Sequence, residues 1–134
     1  MEKYGISHAR MRELMAVCEQ YPDMLRALND ARAGVRDEPA KGNTPGRIYK
    51  DPTGARAARV ADSYTRRRVR TVEAAAEAAC PSAALRRCLL MSVTRNRGYE
   101  RLGRVPCGRR QFYGIRRVFY LELDARLRAG NGNV

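Results

Sequence analysis

Apolar residues recur every three or four positions along most of this chain, and no run of five or more alternates apolar with polar. That period belongs to the α-helix, so the sequence predicts an all-α fold. Residues 6–20 carry Met11, Leu14, Met15 and Cys18 at helical spacing, with Ser7 placed to cap the start. Pro22 predicts a break after Tyr21 and suits the first position of a second, shorter helix bearing Met24, Leu25 and Leu28. Residues 1–32 therefore read as a helical hairpin, packed on the rest of the fold or serving as a protein-docking surface. Residues 33–54 hold three prolines and four glycines and read as a flexible linker, with Ile48 and Tyr49 as its only apolar anchors near the middle.

Beyond the linker the helical period returns. Val60, Tyr64, Thr71, Val72, Ala75, Ala76 and Ala79 draw a thin stripe along one long helix over 55–79. The stripe is interrupted by Arg66, Arg67, Arg68 and Arg70, whose stems can lie along apolar surface. This helix suits a spacer, a packing partner or a dimer seam. Pro81 predicts the start of the next helix, which runs to about Val93 with Leu85, Cys88, Leu89 and Val93 inward. A turn at 95–98, a short helix at 99–102 and a stop at Gly103 follow. Pro106 and Gly108 then precede a last helix whose inward stripe is Phe112, Ile115, Phe119 and Leu123. Beside that stripe the wheel places Arg109, Tyr113, Arg116, Arg117 and Tyr120, with Arg110 at the edge. The arc has no carboxylate until Glu122 and Asp124. An exposed face normally mixes signs to gain opposite-charge pairs, so this one calls for an external anion.

Charge sharpens the point. The 134 residues hold 27 basic and 14 acidic side chains, a net charge of +13. Residues 1–32 are neutral, and nine of the thirteen net charges follow residue 79. This asymmetry points to a polyanion-binding C-terminal half. Arginine forks fit phosphate oxygens and guanine edges.

Enzyme chemistry finds no support in the residue inventory. His8 is the single histidine, and the glycines of 42–46 lack the Gly-Lys-Ser/Thr ending of a phosphate loop. Cys18, Cys80, Cys88 and Cys107 include no Cys-x-x-Cys pair, so the expectation is no metal, no cofactor and no disulfide framework. No apolar run is long enough to span a membrane, and the N-terminus has no apolar signal core. The expected location is the cytoplasm of a bacterial host.

The order over 81–128 is helix, turn, short helix, tight turn, long basic helix, which is the order of a three-helix helix-turn-helix unit. Within it, residues 109–117, Arg-Arg-Gln-Phe-Tyr-Gly-Ile-Arg-Arg, resemble the recognition helix of phage and prophage transcription regulators of the ArpU/RinA type. Those are similar in turn to the region-4 helix-turn-helix of bacterial sigma factors. Phe112-Tyr113 takes the family's apolar-tyrosine step and Arg116-Arg117 its basic tail. Tyr99 departs from the pattern, standing where such units often carry alanine, and Gly114 departs from good helix chemistry.

The resulting expectation is a helical DNA-binding domain over 55–134 in a phage-encoded regulator that binds double-stranded DNA. Arg109, Arg110 and Tyr113 would read base edges in the major groove. Arg116, Arg117 and Tyr120 would hold phosphates, and Arg95, Arg97 and Arg101 would touch the backbone from the preceding turn and helix. Host RNA polymerase or another host protein, and a second copy of the chain, are the further partners this reading admits. The competing expectation is a protein-binding inhibitor of a host nucleic-acid machine, such as an anti-CRISPR, with the neutral hairpin docking on protein.

Overall fold

The computed structural model describes residues 2–41 and 52–132, with side chains described within 3–30 and 63–130. The fold is all-helical, and no strand occurs among the described residues. Among the described residues four α-helices carry it: α1 His8–Lys41, α2 Pro52–Ala79, α3 Ala83–Arg95 and α4 Arg109–Gly132. Short 3-10 turns at Glu2–Tyr4 and Tyr99–Arg101 precede α1 and α4.

The expected N-terminal hairpin is instead one helix. α1 runs 34 residues without stopping at Pro22. A proline inside a helix removes one hydrogen bond and crowds the carbonyl four residues back, at a cost of about 3 kcal/mol. Tertiary packing outweighs it here. Leu14, Cys18, Tyr21 and Leu28 form a single buried stripe that crosses the proline, and each buried apolar side chain contributes about 1.5–3 kcal/mol. The Tyr21 hydroxyl also donates to Glu73 Oε2 on α2 at 2.6 Å. At its start α1 is capped as expected, with Ser7 Oγ accepting from the Arg10 amide at 3.1 Å.

The expected linker is also shortened. Helix α1 takes residues 33–41 and α2 begins at Pro52, two residues before the expected linker end. The middle of that stretch, including Ile48 and Tyr49, lies outside the described residues.

One apolar core joins all four helices. α2 packs most extensively along α4, where Val69, Val72, Ala75 and Ala76 are buried and the small alanines let the two helices approach. α1 lies across α2 and α3. Ile6, 1% exposed, closes the core ahead of α1. Arg10 Nε binds Asp124 Oδ1 at 2.6 Å and ties the start of α1 to the second half of α4. Burial works against the Asp124 carboxylate, but the hydrogen bonds from Arg10 and Arg128 win and hold it below the ordinary carboxylate range.

Helix α3 starts two residues later than Pro81 suggested. Ser82 is the cap, with its Oγ accepting from the Leu85 amide at 3.4 Å. Arg86 reaches back to the carbonyls of Cys80 and Pro81 at 3.0 and 2.8 Å, fixing the link from α2 to α3. At the other end Asn96 turns left-handed, φ 53° and ψ 49°, and closes the helix.

Candidate nucleic-acid interface

Between α3 and α4 the chain makes a shaped loop. Its middle element is a three-residue 3-10 turn, where the expected helix-turn-helix order has a second helix. Several side chains fix the loop. Ser92, fully buried, donates to the Arg97 carbonyl at 2.6 Å. The Tyr99 hydroxyl donates to the Cys107 carbonyl at 2.7 Å, and the Tyr113 hydroxyl accepts from the Tyr99 amide at 3.0 Å. Phe112 lies between those tyrosines, its ring centroid 5.7 Å from each. A side chain at Gly98 would bring a Cβ within 3.2 Å of the Tyr113 hydroxyl, so glycine makes room for the tyrosine that pins the loop.

Arginines surround this framework. Arg95, Arg101, Arg104, Arg109 and Arg110 are exposed, and Arg97 is half-buried with the loop backbone. Glu100 is the one acidic residue in 95–110. It pairs with Arg109 at 3.0 Å, with both side chains about two-thirds exposed at 66% and 63%. Such a pair contributes under about 1 kcal/mol and leaves the surface strongly positive. Arg109 and Arg110 also sit in the first turn of α4, where unpaired amides make the helix end positive and an acidic residue would ordinarily be favoured. No acidic residue stands there.

The aromatic and basic residues of α4 divide in a way the helical wheel did not predict. Tyr120 is 3% exposed and belongs to the core; burial pushes its hydroxyl up to about 12. That position corrects its expected phosphate-binding role. Arg116 is half-buried, with its guanidinium 5.8 Å from the Tyr113 ring centroid and 5.9 Å from that of Tyr120. Its guanidinium is thus shared between two rings, one of them in the core. Tyr113 is half-buried and its hydroxyl accepts from the loop backbone, so it supports the arginine surface from beneath. The physical reason is the width of the buried sector. α1, α2 and α3 all contact α4, and three neighbours cover more of a helix than one stripe.

Arg110, Gln111 and Val118 remain exposed on α4, with Gly114 and Arg117 half-exposed beside them. Arg117 Nη1 donates to the Tyr4 hydroxyl at 3.0 Å and its guanidinium stands 5.2 Å from the Tyr4 ring centroid. Lys3 lies over the same ring at 5.4 Å. The segment before α1 thus adds a cation to this side of α4, which sequence reasoning missed because it lies more than a hundred residues away. Arg104 and Gln111 were missed as well; Arg104 carried a signal, as a basic residue next to Gly103. A Cβ at Gly114 would meet only Arg117 Nη2, at 3.9 Å. Nothing inside the molecule therefore asks for glycine there, although it costs about 1 kcal/mol against alanine.

Cys107 feels both Cys80 and Cys88, and its thiol is pushed up, first by burial and then by these two neighbours. Cys88 Sγ lies 3.9 Å from the Arg104 carbonyl, under the loop. Among the described residues no group of three histidine, cysteine or acidic side chains could hold a metal ion, and no helix is long and apolar enough to cross a membrane. What the surface offers chemically is dense, fixed positive charge with a bidentate donor in each fork. Comparison of the chain with protein-family models, with curated proteins and with solved structures found no match.

Proposed function

We propose that the protein binds double-stranded DNA and acts as a phage transcription regulator. In this reading Arg110 and Gln111, in the first turn of α4, reach base edges in the major groove, where arginine suits guanine and glutamine suits adenine. Gly114 lets the groove wall come close. Arg95, Arg101, Arg104 and Arg117 hold phosphates, and Arg109 joins them when the anion displaces Glu100. The observation that carries the reading is the exposed arginine cluster on a pinned loop, next to a positive helix end with no acidic residue in its first turn. Host RNA polymerase is a further proposed partner of a regulator that acts on transcription.

The test is a titration of random-sequence duplex DNA with the purified chain across a salt series. Neutralising roughly four to six phosphates gives a log–log slope of about −4 to −5 on duplex DNA. Replacing Arg95, Arg101 and Arg104 together with glutamine should lower that slope by about three. Duplex binding that is absent at low salt, or indifferent to salt, would overturn the reading and leave the host-protein inhibitor in its place.

A further inference from the structure

A second cationic surface lies near the far end of α4, and the duplex-binding reading does not use it. Arg110 and Arg126 are sixteen positions apart, about 24 Å along a helix at 1.5 Å per residue. Near Arg126 the helices α2 and α4 leave a groove of about 250 Å³ between them. Tyr64, Arg67, Arg68 and Thr71 line it from one face of α2, and Arg126, Leu127 and Gly130 line it from α4. Among the described residues three arginines line this groove and no carboxylate does. Arg67 is exposed, with no ion pair to any described residue. Arg126 has only a solvent-exposed partner, Glu122, at 3.4 Å.

Tyr64 gives the groove its second character. It is 50% exposed, a large ring left at the surface. Arg68 holds it in place, with a hydrogen bond to its hydroxyl and a guanidinium 5.1 Å from its centroid. A half-open aromatic ring beside the cations Arg67 and Arg126 matches a ligand that has both a flat ring and a phosphate. A duplex keeps its bases stacked inside, so the ring would be idle against it. A strand with unpaired bases can use both features, with a base on the aromatic face and the backbone along the arginines.

The groove continues toward α1. An adjoining hollow shares Tyr64, Arg68 and Leu127 and reaches Arg10, Glu13 and Gln20. There Arg10 Nη2 is buried and has no hydrogen-bond partner, although Nε and Nη1 of the same guanidinium are paired. An unpaired buried donor of a charged group is costly, and an acceptor entering this hollow would satisfy it.

We infer that the α2–α4 groove is a binding site for an unpaired nucleotide of a single-stranded nucleic acid, with Tyr64 as the stacking platform and Arg67 and Arg126 as the phosphate contacts. The site is independent of the duplex surface on the 95–110 loop. The experiment is fluorescence anisotropy of the full chain at low salt with two probes, a short labelled oligo(dT) and a labelled random duplex, with inorganic phosphate as competitor. Tyr64→Ala should weaken oligo(dT) binding by about tenfold, whereas Tyr64→Phe, which keeps the ring, should stay within about twofold of the parent. Arg67→Gln combined with Arg126→Gln should weaken oligo(dT) more than it weakens duplex. These residues are exposed, so thermal melts should confirm folded variants. Oligo(dT) binding unchanged by Tyr64→Ala and by the arginine pair overturns the inference. So does oligo(dT) binding that inorganic phosphate abolishes equally in the parent and in Tyr64→Ala, since the groove would then be a plain anion site. If Arg110→Ala removes both probes and the groove variants remove neither, the groove inference falls while duplex binding stands. If duplex binding alone fails, the groove stands.

Discussion

Arg116 and Arg117 are neighbours in sequence, both half-buried, and rest on different rings. Arg116 is half-buried between the rings of Tyr113 and Tyr120, close enough to Cys18 to oppose the rise that burial imposes on that thiol. Arg117 rests on Tyr4, a side chain that is itself 40% exposed. One step along a helix turns a side chain by about 100°, enough to move an identical residue from the buried Tyr120 ring to the half-open Tyr4 ring. An arginine therefore cannot be assigned to a polyanion by its presence on a basic helix. It must first be shown not to be needed by the rings around it.

The largest expected effect tests the inward side alone. Phe112 is fully buried and touches both loop tyrosines, so Phe112→Ala should cost about 3–5 kcal/mol in a denaturant titration. Asp124→Asn comes next. It weakens the charge-assisted bonds to Arg10 and Arg128, and such bonds contribute about 1.5–3 kcal/mol. Asp124 titrates below its unfolded value, near 3.9 for a free aspartate. Its contribution is therefore complete above about pH 4 and is lost as pH falls through the lower, folded value. The variant should melt earlier than the parent at neutral pH, and the gap should close in acid. A gap that stays constant would show that the carboxylate's charge is irrelevant.

Smaller effects separate the two arginines directly. Arg116→Ala removes two ring contacts in a half-dry setting and should cost about 1–2 kcal/mol. Its effect on DNA binding should follow only from that loss of stability. Arg117→Ala should cost about 0.5 kcal/mol or less and still lower the salt slope of duplex binding by about one. Arg110→Ala should leave the melting curve unchanged and relax sequence preference by about 1–3 kcal/mol at one base pair. If Arg116→Ala proves stable and binds poorly while Arg117→Ala does the reverse, the contrast between them is inverted.

Much of the helical architecture was legible because burial repeats with the helical period. The stripes of α2, α3 and α4 appear in the sequence at Val72, Leu89, Phe112 and Phe119, and all four are buried. Pro22 was misread because a local rule met a longer stripe, Leu14 to Leu28, that had more to bury. Tyr120 was misread because a wheel drawn for one helix cannot say how many neighbours will cover it. The basic character of 95–110 was legible from composition. Its rigidity was not, because it rests on pairs such as Tyr99 with Tyr113 and Ser92 with Arg97, which only the folded backbone brings into register.

The hydrogen bonds that pin the arginine loop bear on the thermodynamics of any encounter. A loop that must be ordered by its ligand loses backbone freedom at that moment, about 1–2 kcal/mol for each residue fixed. Here Ser92, Tyr99 and Tyr113 hold the loop before any ligand arrives. Association should then proceed without a coupled folding step, and the heat-capacity change should match the area covered rather than the larger value of a segment that folds on binding. Tyr99→Phe would release the Cys107 carbonyl, and calorimetry should find the missing order as an unfavourable entropy of binding.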